Sequence, residues 1–244
     1  MKMRFFAIAI CALTILSMAA QEKKTYNLEV GQFDRLEVTD NVNVVYRCVP
    51  DSSGYIAFEG EPEFADAFIF TNNKGKLKIQ VNTDDVNNPR LPVLRVYSDY
   101  LVEVENSSEF LTTVYCSMSV PTFSAKLVGN GKIVAENVQA GEVNATIATG
   151  NGTIVLDGKA AKATYKMVGT GLIQADRLEC ADVKCSILGS GNIGCWATQK
   201  LDVRGIGSTK IYYRGEPNIK KVGGGKLFRI SAEGDSSYSD ISEQ

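Results

Sequence analysis

Apolar and polar residues alternate through much of the second half of this chain. The apolar positions run Val143, Ala145, Ile147, then Ala163, Tyr165, Met167, then Val183, Cys185, Ile187, then Leu201 and Val203. A period of two places one set of side chains on each face of a β-strand, and no window carries the i, i+3, i+4 spacing of a helix. Between the alternating runs a short phrase returns: Val128-Gly-Asn-Gly-Lys-Ile133, Thr149-Gly-Asn-Gly-Thr-Ile154, Val168-Gly-Thr-Gly-Leu-Ile173 and Leu188-Gly-Ser-Gly-Asn-Ile193. Degenerate copies stand at Ile206-Gly-Ser-Thr-Lys-Ile211 and Val222-Gly-Gly-Gly-Lys-Leu227. The first glycines, at 129, 150, 169, 189, 207 and 223, are 21, 19, 20, 18 and 16 residues apart. A period near 20 marks a solenoid, and strand periodicity inside each repeat excludes the helical and leucine-rich kinds. The pattern predicts an all-β fold, a single-stranded parallel β-helix in which each strand pairs with its equivalent one coil away.

Superimposing the repeats predicts interior columns. One is Ile133, Ile154, Ile173, Ile193, Ile211 and Leu227; a second is Ala135, Leu156, Ala175 and Cys195. A third is Val143, Ala163, Val183 and Leu201, and a fourth Ala145, Tyr165, Cys185 and Val203. Gly129, Gly131, Gly150, Gly152, Gly169, Gly171, Gly189 and Gly191 form the structural corner, where the chain needs positive φ or the backbone of the adjoining coil comes close. Asn130, Asn151, Thr170, Ser190 and Ser208 are placed to bond along it. An outward column, Glu142, Lys162, Asp182, Lys200, alternates in sign from coil to coil. At a strand spacing of about 4.8 Å this favours register, with a contribution of roughly a few tenths of a kcal/mol per exposed pair.

The first half is β-rich but irregular. Strands are predicted around Leu36–Val38, Val42–Val44, Tyr55–Phe58, Lys76–Val81, Val93–Val96 and Leu101–Val104, with turns at Pro50–Gly54, Asn72–Gly75 and Thr83–Pro89. Glu63–Phe68 has room for a helical turn, and Asn106–Phe110 falls where an earlier, glycine-free corner belongs. The expected organisation is a leader over 1–20, an irregular β-rich part or cap over 21–115, the repeats over 116–230 and a polar, poorly ordered tail over 231–244.

The leader changes the compartment. Lys2 and Arg4 precede an apolar run from Phe5 to Leu16, followed by Ser17, Ala19 and Ala20, the layout of a signal peptide. Cys11 follows Ile10 in mid-run, so no lipid anchor is expected, and no later stretch is apolar enough to span a bilayer; the expected product is exported and released or held peripherally, in the periplasm, at the outer-membrane surface or outside the cell. Loss of Lys2 and Arg4 takes the formal charge from −2 to −4, which leaves no basic surplus for nucleic acid. The chain has no histidine, which excludes Ser-His-Asp and Cys-His catalysis and histidine-rich zinc sites. Cys48, Cys116, Cys180, Cys185 and Cys195 remain after the leader, an odd number without a Cys-x-x-Cys pair; the expectation is that most are small buried apolar residues, a disulfide being the alternative.

The opening Phe33-Asp-Arg-Leu-Glu-Val-Thr-Asp-Asn-Val-Asn-Val-Val-Tyr46, the strand Gly75-Lys-Leu-Lys-Ile79 and the repeated Gly189-Ser-Gly-Asn-Ile193 resemble the autotransporter-adhesin family called the head GIN domain, exported proteins common in Bacteroidetes. The resemblance spans Phe33 to Arg229 and implies a pectate-lyase-like β-helix and an exported location. It brings no catalytic residues.

Gly189-Ser-Gly-Asn-Ile-Gly194 also matches the dinucleotide fingerprint, but Cys195-Trp-Ala-Thr opens no helix and the phrase recurs every coil, so no cofactor is expected. The expected function is a non-enzymatic, adhesin-like binding module of the cell envelope. A glycan or an envelope or extracellular protein is the partner class, and Trp196, Tyr212 and Phe228 are the candidate ligand or subunit contacts. A polysaccharide lyase or glycoside hydrolase is one alternative, needing convergent carboxylates. An oligomeric envelope scaffold, here a homo-oligomer, is the other.

Overall fold

The computed structural model describes residues 23–82, 91–116 and 118–230; the predicted leader, the polar tail and the turn Thr83–Pro89 lie outside the described residues. The strands in chain order are β1 (Lys24–Glu29), β2 (Arg35–Val38), β3 (Val44–Cys48), β4 (Tyr55–Gly60), β5 (Phe68–Asn73), β6 (Lys76–Val81), β7 (Leu94–Ser98), β8 (Glu103–Asn106) and β9 (Leu111–Tyr115). The long bent strands β10 (Ser119–Val128), β11 (Lys132–Thr149), β12 (Thr153–Gly169), β13 (Leu172–Gly189) and β14 (Asn192–Ile206) follow, then β15 (Lys210–Arg214), β16 (Asn218–Gly223) and β17 (Lys226–Arg229). A 3-10 turn (Pro50–Ser52) and a short helix, α1 (Pro62–Ala67), interrupt them. Together they build an all-β solenoid of about six turns with coils of about 20 residues.

Parallel, in-register pairing puts equivalent residues on top of one another. Ile133 pairs with Ile154, Ile154 with Ile173, Ile173 with Ile193, Ile193 with Ile211 and Ile211 with Leu227. The five isoleucines have no solvent exposure. Val143, Ala163, Val183 and Leu201 form one further buried column, and Ala145, Tyr165, Cys185 and Val203 another. Full burial of such a side chain is worth about 1.5–3 kcal/mol, so each coil contributes to one continuous core.

Variation in coil length is absorbed at bends, leaving the strands in register. Asp176-Arg-Leu178 is present between Ala175 and Glu179 but has no counterpart between Cys195 and Trp196, while Cys180–Asp182 is matched by the longer Ala197–Lys200. The net loss of two residues shortens the coil from 20 to 18 without displacing Val183 from Leu201.

The first half joins the same stack in an order unlike its chain order. β2 lies between β6 and β8, and β3 between β7 and β9, all parallel. β8 then pairs with β10 and β9 with β11, which carries the stack into the repeats. The outermost strands are covered by antiparallel neighbours, β6 by β5 and β7 by β4, with β1 added outside β4. That cover closes the edge at this end of the solenoid, and it is the source of the irregularity. Its underside is aromatic: Phe58 stacks on Tyr26 at 4.9 Å and meets Phe68 edge-on at 5.1 Å.

The corner Asn106–Phe110 stacks directly under the first glycine corner. Buried Asn106 holds it: Nδ2 donates to the carbonyls of Phe110 (2.9 Å) and Lys132 (3.2 Å), and Oδ1 accepts from the backbone and hydroxyl of Ser108, both at 2.8 Å.

Candidate binding face at the last coils

The first strand of each coil shows alternate residues to solvent. One outward column runs Val134, Val155, Gln174, Gly194, Tyr212, Phe228, each the register neighbour of the next. Its last two members, on β15 and β17, stack with ring centroids 5.3 Å apart and planes 23° from parallel. Two residues further along each strand, Trp196 pairs in register with Arg214, whose guanidinium lies 5.4 Å from the indole centroid. Tyr212 and Arg214 share one face of β15, so the three aromatics picked out in the sequence fall on one continuous outward surface. Phe228 is 40% exposed; the others are half-buried. Aromatic rings fixed this way present apolar area at low entropic cost.

Cations accompany them. Lys210 precedes Tyr212 by two residues and Lys226 precedes Phe228 by two, and Lys210 and Lys226 are register neighbours. Of the preceding members of that column, Thr153, Leu172 and Asn192 are uncharged, while Lys132, four coils back from Lys210, is a cation. Lys210, Lys226 and Arg214 escaped the sequence reading because none is unusual alone; the signal was their i±2 spacing from the aromatics.

The eight corner glycines form four consecutive stacked corners on one edge. Gly150 has φ +84°, and a Cβ on Gly191 would sit 2.2 Å from the Gly171 carbonyl oxygen. Asn130 Oδ1 accepts from the Asn151 backbone at 3.0 Å, and Thr170 donates to Asn151 Oδ1 at 3.4 Å. The fingerprint-like Gly189–Gly194 segment is one of these corners running into β14. In the outward ladder Glu142, Lys162, Asp182 and Lys200 are register neighbours, and Lys200 lies 3.9 Å from Asp182.

A second polar cluster lies on the first coils. β2 and β8 place Glu37 beside Glu105. Lys76 contacts both, at 3.9 Å from Glu105; Lys78 lies 3.8 Å from Glu37 and Lys126 2.9 Å from Glu105. The hydrogen bond to Glu37 raises the Lys76 ammonium above its ordinary range. Each carboxylate is thereby matched by two lysines, the arrangement of an ion-pair network.

Concave features are modest. A small cavity of about 10 Å³ is lined by residues including Tyr46, Cys48, Cys116 and Phe123. An open cleft of about 410 Å³ lies between Tyr55, Tyr97, Asn27 and Asp51 at the other end of the molecule. The five cysteines among the described residues are free, with Cys180, Cys185 and Cys195 buried. Burial pushes Cys116 up to about 12 and Cys180 up to about 11. The hydrogen bond with Cys185 and then burial raise Cys195 well above the thiol range, and burial does the same to the Tyr165 hydroxyl. Such thiols are neutral packing groups at physiological pH.

A parallel β-solenoid of about six turns with a covered first edge defines the class of protein: an all-β solenoid. The chain belongs to the family described as "Putative auto-transporter adhesin, head GIN domain", whose model matches residues 32–217. It is similar to the crystal structure of a putative adhesin from Bacteroides fragilis, with TM-score 0.74 and 21% identity over 86% of this chain and 98% of that one. It is also similar to a putative lipid binding protein from Parabacteroides distasonis (TM-score 0.66, 20% identity, 87% and 98% covered). A putative adhesin from Parabacteroides merdae (TM-score 0.64, 16% identity, 87% and 98% covered) shares the fold as well. No curated protein matches. Among the described residues no helix is long and apolar enough to cross a membrane.

Proposed function

We propose that the chain is an exported, non-enzymatic, adhesin-like module of the bacterial cell envelope that holds a glycan, or a protein of the envelope or matrix, on the face around Tyr212 and Phe228. The observation that carries this reading is the outward Tyr212–Phe228 stack beside the Arg214–Trp196 pair, on rigid strands of a regular solenoid. The leader-like segment 1–20 and the family description support export and adhesion. A lipid ligand, the description given to one structural neighbour, finds less support, since the cavity beside Tyr46 and Phe123 has about the room of one water and the larger cleft beside Tyr55 and Tyr97 is open to solvent.

A glycan array probed with the chain and with Tyr212→Ala/Phe228→Ala tests the reading. Binding to a defined glycan class that the double variant loses is the expected outcome. Binding unchanged in the variant, or turnover of a polysaccharide by the chain, overturns it. The scaffold reading draws on exposed Ile206 and Val222 near the open edge of β16, and sedimentation of the chain as an oligomer is its measurement.

A further inference from the structure

We infer that the polymer held on this face is a polysaccharide bearing carboxylates, of the uronic-acid kind, with Arg214 as its anion-binding residue; the inference rests on the binding-face reading above. Lys210, Arg214 and Lys226 stand on the same outward side as Tyr212 and Phe228, because residues two apart on a strand point the same way. None of the three cations makes an ion pair with a described residue. The Nε of Arg214 is buried without a hydrogen-bond partner, while the guanidinium rests over Trp196. The contact with Trp196 restrains the guanidinium, and a fork so held matches a carboxylate through two parallel hydrogen bonds from its terminal nitrogens.

Protection of an open sheet edge accounts for other cations at this end. Lys221 and Arg229 occupy inward positions of the last coil, and Arg229 is paired with Glu216. Edge protection does not require Lys210 or Arg214, since β15 lies between β14 and β17. The cations also coincide with the aromatics, where the same column in earlier coils is uncharged from Thr153 to Asn192. A chain laid along the solenoid axis meets a new coil about every 4.8 Å, comparable to the length of one sugar, with its apolar ring carbons against the outward edges of the Tyr212–Phe228 stack and acid groups toward Lys210, Arg214 and Lys226. Residues 231–244 add four carboxylates and no base to this end of the sequence, so the test uses the whole chain from Gln21 and reads affinity against that competition.

The experiment titrates that chain calorimetrically with polygalacturonate, with its fully methyl-esterified form and with polyglutamate, over a salt series. The acid polysaccharide binds at least about tenfold tighter than either comparator, and its affinity falls as salt rises. Arg214→Gln and Lys210→Gln/Lys226→Gln each lose about tenfold, while Lys166→Gln/Lys184→Gln, which removes the same charge from another face, changes nothing. Equal affinity for the acid and esterified polymers, lost in Tyr212→Ala, overturns the anion inference and leaves the face standing. Affinity untouched by every variant overturns both. Polyglutamate binding as tightly, or none of the three binding, overturns the saccharide assignment.

Discussion

Lys221 stands directly over Val203, at the position where the interior column Ala145, Tyr165, Cys185, Val203 reaches the last coil. Arg229 does the same over Tyr213 in the column that includes Ala175 and Cys195. A charge on the core axis ends the stack, because a further coil laid on it has to bury an unpaired ammonium. Lys221→Leu is therefore expected to convert the chain to concentration-dependent dimers or larger end-to-end species. Sedimentation velocity checks this, and a variant that stays monomeric at all concentrations shows that the edge is guarded by something else.

Gly191 and Gly129 separate the two demands of the corner. At Gly191 an added Cβ meets the Gly171 carbonyl oxygen at 2.2 Å and the Met167 sulfur at 2.3 Å. Gly129 has φ +114° with nothing within 4 Å of its Cβ position. Gly191→Ala should cost about 1–3 kcal/mol through overpacking against unyielding backbone. Gly129→Ala should cost about 1–2 kcal/mol through φ alone. Denaturant melts of both variants give the comparison, and an unaffected Gly191→Ala would mean that the coils separate more easily than their pairing implies.

Asn106 fills four hydrogen bonds at the glycine-free corner. Asn106→Ala leaves the buried Ser108 group without its acceptor, at a cost of about 1–3 kcal/mol. Amide exchange is expected to quicken first at Ser108, whose N–H loses its partner.

Alkali should unfold this chain earlier than a thiol-free core of the same size. Unfolded thiols ionise near pH 8.5, whereas the folded chain keeps Cys180 protonated to about 11 and Cys116 to about 12. The unfolded state therefore gives up protons first, and the stability present below pH 8.5 is lost as pH rises through that window. Melting temperature measured from pH 8 to 11 should fall, less steeply in Cys180→Ala relative to its own value at pH 8. In native buffer a thiol reagent should spare Cys180, Cys185 and Cys195, and in denaturant it should react with these three as well as with Cys48 and Cys116.

The repeating half was legible because parallel coils template one another: when each strand lies on its own equivalent, Ile133, Ile154, Ile173 and Ile193 can be aligned by counting from a glycine. The same counting placed Asn106–Phe110 as a corner and set Glu142, Lys162, Asp182 and Lys200 in one line. Tyr212 and Phe228 could be marked as outward by alternation, yet their stacking depended on β17 lying beside β15.

Beyond the repeats, local pattern loses this power. β2 carries no mark that sends it between β6 and β8, so the meeting of Glu37 with Glu105, Lys76 and Lys78 was decided by the tertiary structure. The antiparallel cover of β4 and β5, and the convergence of Lys210, Arg214 and Lys226 with three aromatics, were decided there as well. The physical reason is the same in each case. Periodicity specifies which way a side chain points, and a repeat specifies what it stacks on; where the repeat stops, only long-range strand pairing chooses the neighbour.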